Sequence, residues 1–148
     1  MAARRSHAPA WRYLGTGVTR LFYVCLKGKP VPQARARTTK RGTFYPKASA
    51  EYRKALTWAM RSADNWAHGT DDARLTGPLR VDVEVAGARA NSDLDNYAKM
   101  ALDALQDAGV IASDDVRTIT ELRVRVADGE PRMTLALHAG AAQGRKTK

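Results

Sequence analysis

The stretch "LRVDVEVAGARANSDLDNYAKMALDALQDAG", residues 79–109, decides the fold because a strand pattern runs directly into a helix pattern. Its first seven residues alternate between apolar and charged side chains, which predicts a half-buried β-strand with Asp82 and Glu84 facing outward. Apolar residues then recur at helical spacing through residues 94–108, which predicts an amphipathic helix. Gly109 suits the position just after the end of that helix.

Two carboxylates, Asp93 and Asp95, stand where this helix begins. Residues two apart in a helix differ by about 200° and face apart, whereas in an extended segment they point the same way. If both acids bind one metal ion, the chain between them is extended or turning, and the helix begins at about Asp95 or Asn96. Oxygen ligands suit Mg²⁺ or Mn²⁺. The alternative is that the acids only cap the helix and complement its dipole.

Lys99 follows Asp95 by one helical turn, so it can hold that carboxylate ionised or face a substrate phosphate. The pair Asp114-Asp115 comes after the helix and can return to Asp93 along an extended chain, or a second subunit can supply the ligand. The remaining helix acids, Asp103 and Asp107, are interpreted as solvent-facing.

The rest of the chain supplies the other layers of an α+β fold. The sequence pattern predicts a strand at residues 20–26. It predicts a basic loop with two short extended arms around Gly42 at residues 33–47, and a helix capped by Ser49 at residues 49–68. In that helix Trp58, like the nearby Trp66, is interpreted as a packing residue. Two alternating strands follow the second helix, and the segment "ADGEP" (127–131) predicts a hairpin turn between them. The expected architecture is one domain, a small mixed sheet packed by two main helices.

Charge is distributed unevenly along the 148 residues, whose formal net charge is +10. Residues 1–61 contain 14 Lys or Arg and one acid, whereas residues 62–148 contain 11 Lys or Arg and 14 acids. This basicity indicates a polyanionic partner, and carboxylates would repel that partner unless a cation intervenes. The predicted phosphate-binding residues lie in the basic loop: Arg35, Arg37, Lys40, Arg41 and Lys47.

Several classes of protein are excluded or made improbable by composition. A single cysteine rules out a disulfide framework and a cysteine-built zinc site, and the chain contains no apolar run of membrane-spanning length. The domain is expected to cover residues 20–138, between a flexible basic extension (1–19) and a disordered basic tail (139–148). Together these features favour the cytoplasm, either of a bacterium or of a phage-infected host cell.

Residues 92–126 resemble the signature of RusA-type Holliday junction resolvases. The shared pattern is D-x-D-N, a lysine three residues after the Asn, D-x-L, a glycine and an Asp-Asp pair before a strand; it is present as Asp93, Asp95, Asn96, Lys99, Asp103, Leu105, Gly109, Asp114 and Asp115. The upstream segment "GKPVPQARAR" (28–37) also resembles an early loop of that family. The likeness covers residues 22–137.

The resemblance implies a homodimeric endodeoxyribonuclease that depends on Mg²⁺ or Mn²⁺ and cleaves four-way branched DNA in recombination and repair. It implies neither a small-molecule cofactor nor an association with a membrane. It implies metal binding and catalysis by Asp93, Asp95 and Asp115, assisted by Lys99. The connection 110–113 is one residue longer than in the familiar form, so Asp114 is the alternative to Asp115 as the third ligand. The rival hypotheses are a non-catalytic basic nucleic-acid-binding protein and a nuclease that prefers flaps or other branched DNA.

Overall fold

The computed structural model describes residues 20–63 and 74–140, which form six strands and two helices. Their order along the chain agrees with the sequence-based prediction. The elements are β1 (Arg20–Lys27), β2 (Arg37–Thr39), β3 (Gly42–Phe44), α1 (Lys47–Arg61), β4 (Leu79–Ala86), α2 (Leu94–Asp107), β5 (Ile119–Ala127) and β6 (Arg132–Ala139). The predicted extension 1–19, residues 141–148 of the predicted tail and Trp66 lie outside the described residues.

Four of the strands form one mixed sheet in the order β1-β6-β4-β5. β4 and β5 are parallel and are connected through α2, whereas β6 pairs antiparallel with both β1 and β4. β2 and β3 form a separate two-stranded antiparallel hairpin around Gly42, whose φ of 121° favours glycine. The prediction of an α+β domain with a mixed sheet and two helices is confirmed.

The prediction of a hairpin at residues 127–131 is wrong. β5 and β6 lie on opposite sides of β4, so the connection between them crosses the end of β4 instead of reversing beside it. Such a crossing covers two strand spacings, about 10 Å, which a connection of this length can span. Gly87, with a φ of 76°, allows the crossing, since a Cβ there would lie 2.8 Å from the Cβ of Pro131.

One face of the sheet packs against both helices and contains the core. The alternating apolar residues of β4 and β6 are fully buried there, together with Leu56 and Met60 of α1 and Met100 and Leu105 of α2. Gly109, at φ 73°, terminates α2 at the predicted position. Burial of this continuous apolar face fixes α2, and therefore its first turn, against the sheet.

The opposite face of the sheet is polar, and its central carboxylates are buried, which corrects the expectation that Asp82 and Glu84 face outward into solvent. The two residues are only 6% and 3% exposed. Glu84 accepts hydrogen bonds from Arg125 and from Arg132, both at 2.9 Å, and Asp82 lies 3.1 Å from His138 Nε2. Burial lowers the pKa of His138. The long arginine side chains cover these carboxylates because neighbouring strands place them on the same face.

α1 begins two residues before the predicted cap. Pro46 is its N-cap, and Ser49 lies inside the first turn and is buried. The Ser49 hydroxyl accepts a hydrogen bond from Ala34 N–H at 3.1 Å and donates one to Pro32 O at 3.3 Å. Ser49 therefore ties the segment before the hairpin to the helix after it. Within the described part of the chain, no helix is long and apolar enough to cross a membrane.

Candidate active site

Asp93 is the residue at which extended backbone changes to helix. It occupies the N-cap position of α2 with φ −80° and ψ 133°, and Leu94 is the first helical residue. The helix therefore begins slightly earlier than predicted, but Asp93 itself is outside it, as expected. Its exposed side chain makes no capping hydrogen bond to the described backbone of α2. A capping hydrogen bond thus does not account for this carboxylate, although Asp93 and Asp95 both lie where negative charge complements the helix dipole.

The loop that presents Asp93 is held by a tyrosine of the helix that follows it. Tyr97 is buried, as predicted, and its hydroxyl accepts a hydrogen bond from Arg89 N–H at 3.2 Å. The same hydroxyl lies 2.9 Å from Ser92 Oγ, which in turn donates to Arg89 O at 3.0 Å. These bonds fix residues 89–92 to the first turn of α2. The helical periodicity indicated that Tyr97 is buried but not that it positions this loop.

Asp95 lies in the first turn of α2, is exposed and has no hydrogen bond or ion pair to any described residue. Lys99 is also exposed, and its ammonium lies 3.9 Å from Asp103, one turn further along the helix. Of the two roles expected for Lys99, the ion pair with Asp95 is not formed, and Lys99 pairs with Asp103 instead. Because exposed pairs of this kind contribute little free energy, Lys99 can move to another anion at small cost.

Asp103 and Asp107 both pair with α1. Asp103 is shielded from solvent, which corrects its interpretation from the sequence, whereas Asp107 is paired but still exposed. The Asp103 side chain is only 16% exposed and lies 3.7 Å from the Arg53 guanidinium. Asp107 accepts two hydrogen bonds from Arg53 and its carbonyl accepts one from Arg61 at 2.9 Å. The hydrogen bonds that Arg53 donates to the Asp107 carboxylate raise the pKa of Arg53. These acids hold the two helices together and are not available to a metal ion.

The pair Asp114-Asp115 lies in the turn between α2 and β5. Asp115 accepts hydrogen bonds from the backbone N–H of Arg117 and Thr118 and from the Arg117 guanidinium, at 2.9–3.1 Å. The Arg117 side chain, together with the Thr118 N–H, lowers the pKa of Asp115 to about 2. Asp114 is exposed and has no hydrogen bond or ion pair to a described residue. Asp115 is thus ionised and ordered at neutral pH, whereas Asp114 is unpaired.

The described residues of one chain contain no group of three or more His, Cys, Asp or Glu side chains close enough to hold a metal ion. The chemistry of the three candidate acids nevertheless suits a hard cation. The carboxylates of Asp93 and Asp95 have no partner in the part of the chain that the structure describes, and Asp115 is held ionised. The structure therefore presents suitable ligands but does not bring all three together within a single subunit.

The predicted phosphate-binding residues Arg35, Arg37, Lys40, Arg41 and Lys47 are all exposed, in and beside the β2–β3 hairpin. The segment that leads into the hairpin passes the first turn of α2, where Gln33 N–H donates a hydrogen bond to Asn96 O at 3.0 Å. Asn96 is the residue after Asp95. The fold thus brings the segment that leads into the basic hairpin against the acidic end of α2, although the two are separated by about 60 residues in sequence.

Trp58 corrects another interpretation from the sequence, because it is 71% exposed and is not a packing residue. Phe44 and Tyr45 are each 49% exposed, so three aromatic rings lie on the surface between the hairpin and α1. Helical periodicity could have predicted that Trp58 is exposed, since its position is out of phase with the buried residues Leu56 and Met60.

The model of the family described as "Endodeoxyribonuclease RusA" matches residues 27–138, which is 112 of the 148 residues. This chain belongs to the RusA endodeoxyribonuclease family. The matched region includes the basic hairpin, both helices and every candidate acid, so the resemblance stated from the sequence is confirmed. A search of curated proteins found no match to this chain.

Membership in the RusA family relates the acidic end of α2 to the hydrolysis of DNA. Hydrolysis of DNA by an endodeoxyribonuclease requires the enzyme to bind a polyanion and to stabilise additional negative charge at one phosphate. The segment that leads to the exposed cations bonds to the end of α2 that carries the exposed carboxylates Asp93 and Asp95. The family makes a purely non-catalytic role for this arrangement the weaker hypothesis.

Proposed function

We propose that this protein is a structure-specific endodeoxyribonuclease that resolves four-way (Holliday) junctions by divalent-metal-dependent hydrolysis, in DNA recombination and repair. The observation that carries the proposal is the pair Asp93 and Asp95, whose carboxylates have no partner among the described residues. In this chain of the RusA family they lie beside the segment that leads into the basic hairpin. Carboxylates on a DNA-binding surface oppose binding unless a cation is held between them and the phosphate.

Asp93, Asp95 and Asp115 are the proposed ligands of Mg²⁺ or Mn²⁺, with Asp114 as the alternative to Asp115. A bound divalent cation supplies Lewis-acid stabilisation of the phosphate and lowers the pKa of a coordinated water. The Tyr97 hydroxyl fixes the loop before Asp93, so that this carboxylate keeps its position at the helix N-terminus. Ordering of the ligands before substrate arrives reduces the reorganisation needed during the reaction.

Lys99 is proposed to stabilise negative charge on the reacting phosphate. Among the described residues, Lys99 forms an ion pair only with Asp103, at 3.9 Å, and its side chain is 63% exposed. The residues Arg35, Arg37, Lys40, Arg41 and Lys47 are proposed to contact backbone phosphates on both sides of the branch. Such contacts provide affinity without reading base sequence.

A homodimer is proposed as the active form. The three acids do not form one cluster within the described residues of a single chain, so an acid from a second subunit is one way to complete each site. A two-fold dimer would also present two equivalent sites to a four-way junction, whose arms can be arranged with the same symmetry.

The test is cleavage of synthetic four-way, flap and linear duplex DNA of shared sequence, each in Mg²⁺, in Mn²⁺ and in EDTA. The proposal predicts metal-dependent cleavage that is fastest on the four-way junction and produces paired, symmetric incisions. Faster cleavage of the flap would instead identify a flap nuclease. Binding to all three substrates with no cleavage in either metal would contradict the enzymatic proposal. Sedimentation of the protein alone and with junction tests the dimer.

A further inference from the structure

A pocket of about 400 Å³ lies along α1, between this helix and the segment that leads into the basic hairpin. Its volume is within the range of pockets that bind small organic molecules or single nucleotides. None of the acids assigned to the reaction lines it, although Asp107, which is paired with Arg53, contributes to its wall. The residues that decide its chemistry are Gln33, Tyr45, Lys54, Thr57, Trp58 and Arg61.

Two polar side chains in the lining have buried oxygen atoms without a hydrogen-bond partner among the described residues. Gln33 is only 6% exposed, and its Oε1 is buried and unpaired, as is the hydroxyl of Thr57. Buried polar atoms in folded proteins are almost always paired, because each unpaired one costs desolvation free energy. A ligand that carries N–H or O–H donors would pair with these oxygens once the two side chains rotate toward the pocket.

The rim of the pocket is aromatic and cationic. The rings of Trp58 and Tyr45 are 71% and 49% exposed, which is unusual for side chains of this size. Lys54 is exposed and has no ion-pair partner among the described residues, and Arg61 bonds to the Asp107 carbonyl. An occupant that satisfies these groups combines a flat ring, hydrogen-bond donors on the ring edge and a negative charge.

We propose that this pocket binds one unpaired nucleobase of the branched DNA, with its ring against Trp58 and its edge against Gln33 and Thr57. The adjoining phosphate would lie near Lys54 and Arg61. A nucleotide combines all three required properties, and bases stack on exposed aromatic rings in proteins that bind unpaired DNA. The proposal rests on the function proposed above, since a branched substrate is where bases at the crossover lose their partners.

The position of the pocket supports this occupant. Gln33 forms part of its lining, and the backbone N–H of the same residue donates to Asn96 O in the first turn of α2. The pocket therefore begins close to the proposed catalytic acids and continues along α1. A base withdrawn from the duplex there would hold the adjacent strand beside Asp95 and would contribute to selection of branched over linear DNA.

The first experiment measures binding in EDTA, so that no cleavage occurs. One four-way junction carries all its bases, and matched junctions carry a single abasic site at each crossover nucleotide in turn. Trp58→Ala should weaken binding of the intact junction about tenfold, and this loss should disappear on one of the abasic junctions. Leu122→Ala, at an exposed apolar residue of β5 outside the pocket, is the control and should bind normally. Equal losses on all junctions, or no loss, would overturn the proposal.

A second variant separates binding from stability. Gln33→Leu has a similar volume but lacks the unpaired oxygen, so its melting temperature should equal or exceed that of the wild type while its affinity for the intact junction falls. A lower melting temperature with unchanged affinity would mean that Gln33 is structural and would overturn its assignment. Wild-type cleavage in Mg²⁺ tests the enzymatic function independently. If cleavage occurs normally and Trp58→Ala binds normally, only the pocket proposal fails.

If the wild type does not bind branched DNA, the proposed function fails and the pocket is tested on a single-stranded oligonucleotide. Binding that weakens both with Trp58→Ala and with an abasic site would still support a nucleobase site. Binding that is insensitive to both changes would overturn it.

Discussion

Replacement of Asp93 by Asn tests the central assignment, because it removes one negative charge and leaves the shape of the side chain nearly unchanged. The carboxylate is exposed, and it makes no capping bond to the described part of α2. Asn is as favourable as Asp at an N-cap, so the backbone at this position should be retained. The substitution therefore separates a catalytic role from a structural one.

The expected effect on stability is small. Loss of the favourable charge at the helix N-terminus costs about 0.3–1 kcal/mol, and relief of repulsion from nearby Asp95 offsets part of that. For a chain of this size, 1 kcal/mol corresponds to a decrease of about 2–4 °C in Tm. Removal of a metal ligand should instead cost several kcal/mol of transition-state stabilisation. Because each 1.4 kcal/mol or so corresponds to a tenfold change in rate, cleavage should slow by a factor of about 10³ or more.

The assay is single-turnover cleavage of a four-way junction in Mg²⁺, with thermal unfolding and junction binding in EDTA measured on the same preparation. Asp128→Asn is the matched control, because it makes the same chemical change at an exposed acid in the β5–β6 connection. The control should cleave at the wild-type rate. Asp93→Asn should bind the junction at least as tightly as wild type, since a negative charge has been removed. Wild-type cleavage by Asp93→Asn would refute the assignment of this residue as a metal ligand.

Other substitutions test the remaining parts of the site. Replacement of Arg35 and Arg37 together by Ala should weaken binding to all DNA and reduce the slope of log affinity against log salt by about 2; an unchanged slope would exclude these residues from the interface. Tyr97→Phe should lower the free energy of unfolding, measured by urea denaturation, by about 1 kcal/mol, because the loop before the site loses its hydroxyl anchor. For the same reason it should slow cleavage more than it weakens binding. A cleavage rate equal to that of the wild type would contradict this role of Tyr97. Asp115, whose pKa is about 2, should remain ionised through neutral pH, and its stabilising contribution should be lost only as pH falls below about 4 toward 2. Arg117→Ala should raise that pKa toward the ordinary value in an NMR titration of the carboxyl group, and an unchanged pKa would show that the backbone N–H groups alone hold it.

Local patterns in the sequence were sufficient to predict most secondary structure and the position of Asp93. Strand alternation and helical periodicity are set by neighbours a few residues apart, so β4, α2 and the glycine after α2 could be located from the chain alone. The change from extended backbone to helix at Asp93 is equally local. The basic loop and its hairpin around Gly42 were also predictable, since turn residues and clustered charge need no distant partner.

Tertiary structure decided the features that depend on which elements become neighbours. β5 and β6 resemble a hairpin in sequence, but each pairs with a different side of β4, because the parallel β4–α2–β5 unit leaves the other edge of β4 to β6. That arrangement also brings Arg125 and Arg132 over Glu84 and so buries a carboxylate that alternation alone assigns to solvent.

The same distinction applies to the functional surface. The sequence determined which carboxylates stand at the start of α2 and which cations form the loop, because these are properties of short segments. Only the fold placed the loop beside the helix, through the bond from Gln33 to Asn96, and left Trp58 exposed above a pocket with unpaired oxygens. Contacts between distant segments follow from packing of the whole apolar core, and local periodicity contains no information about them.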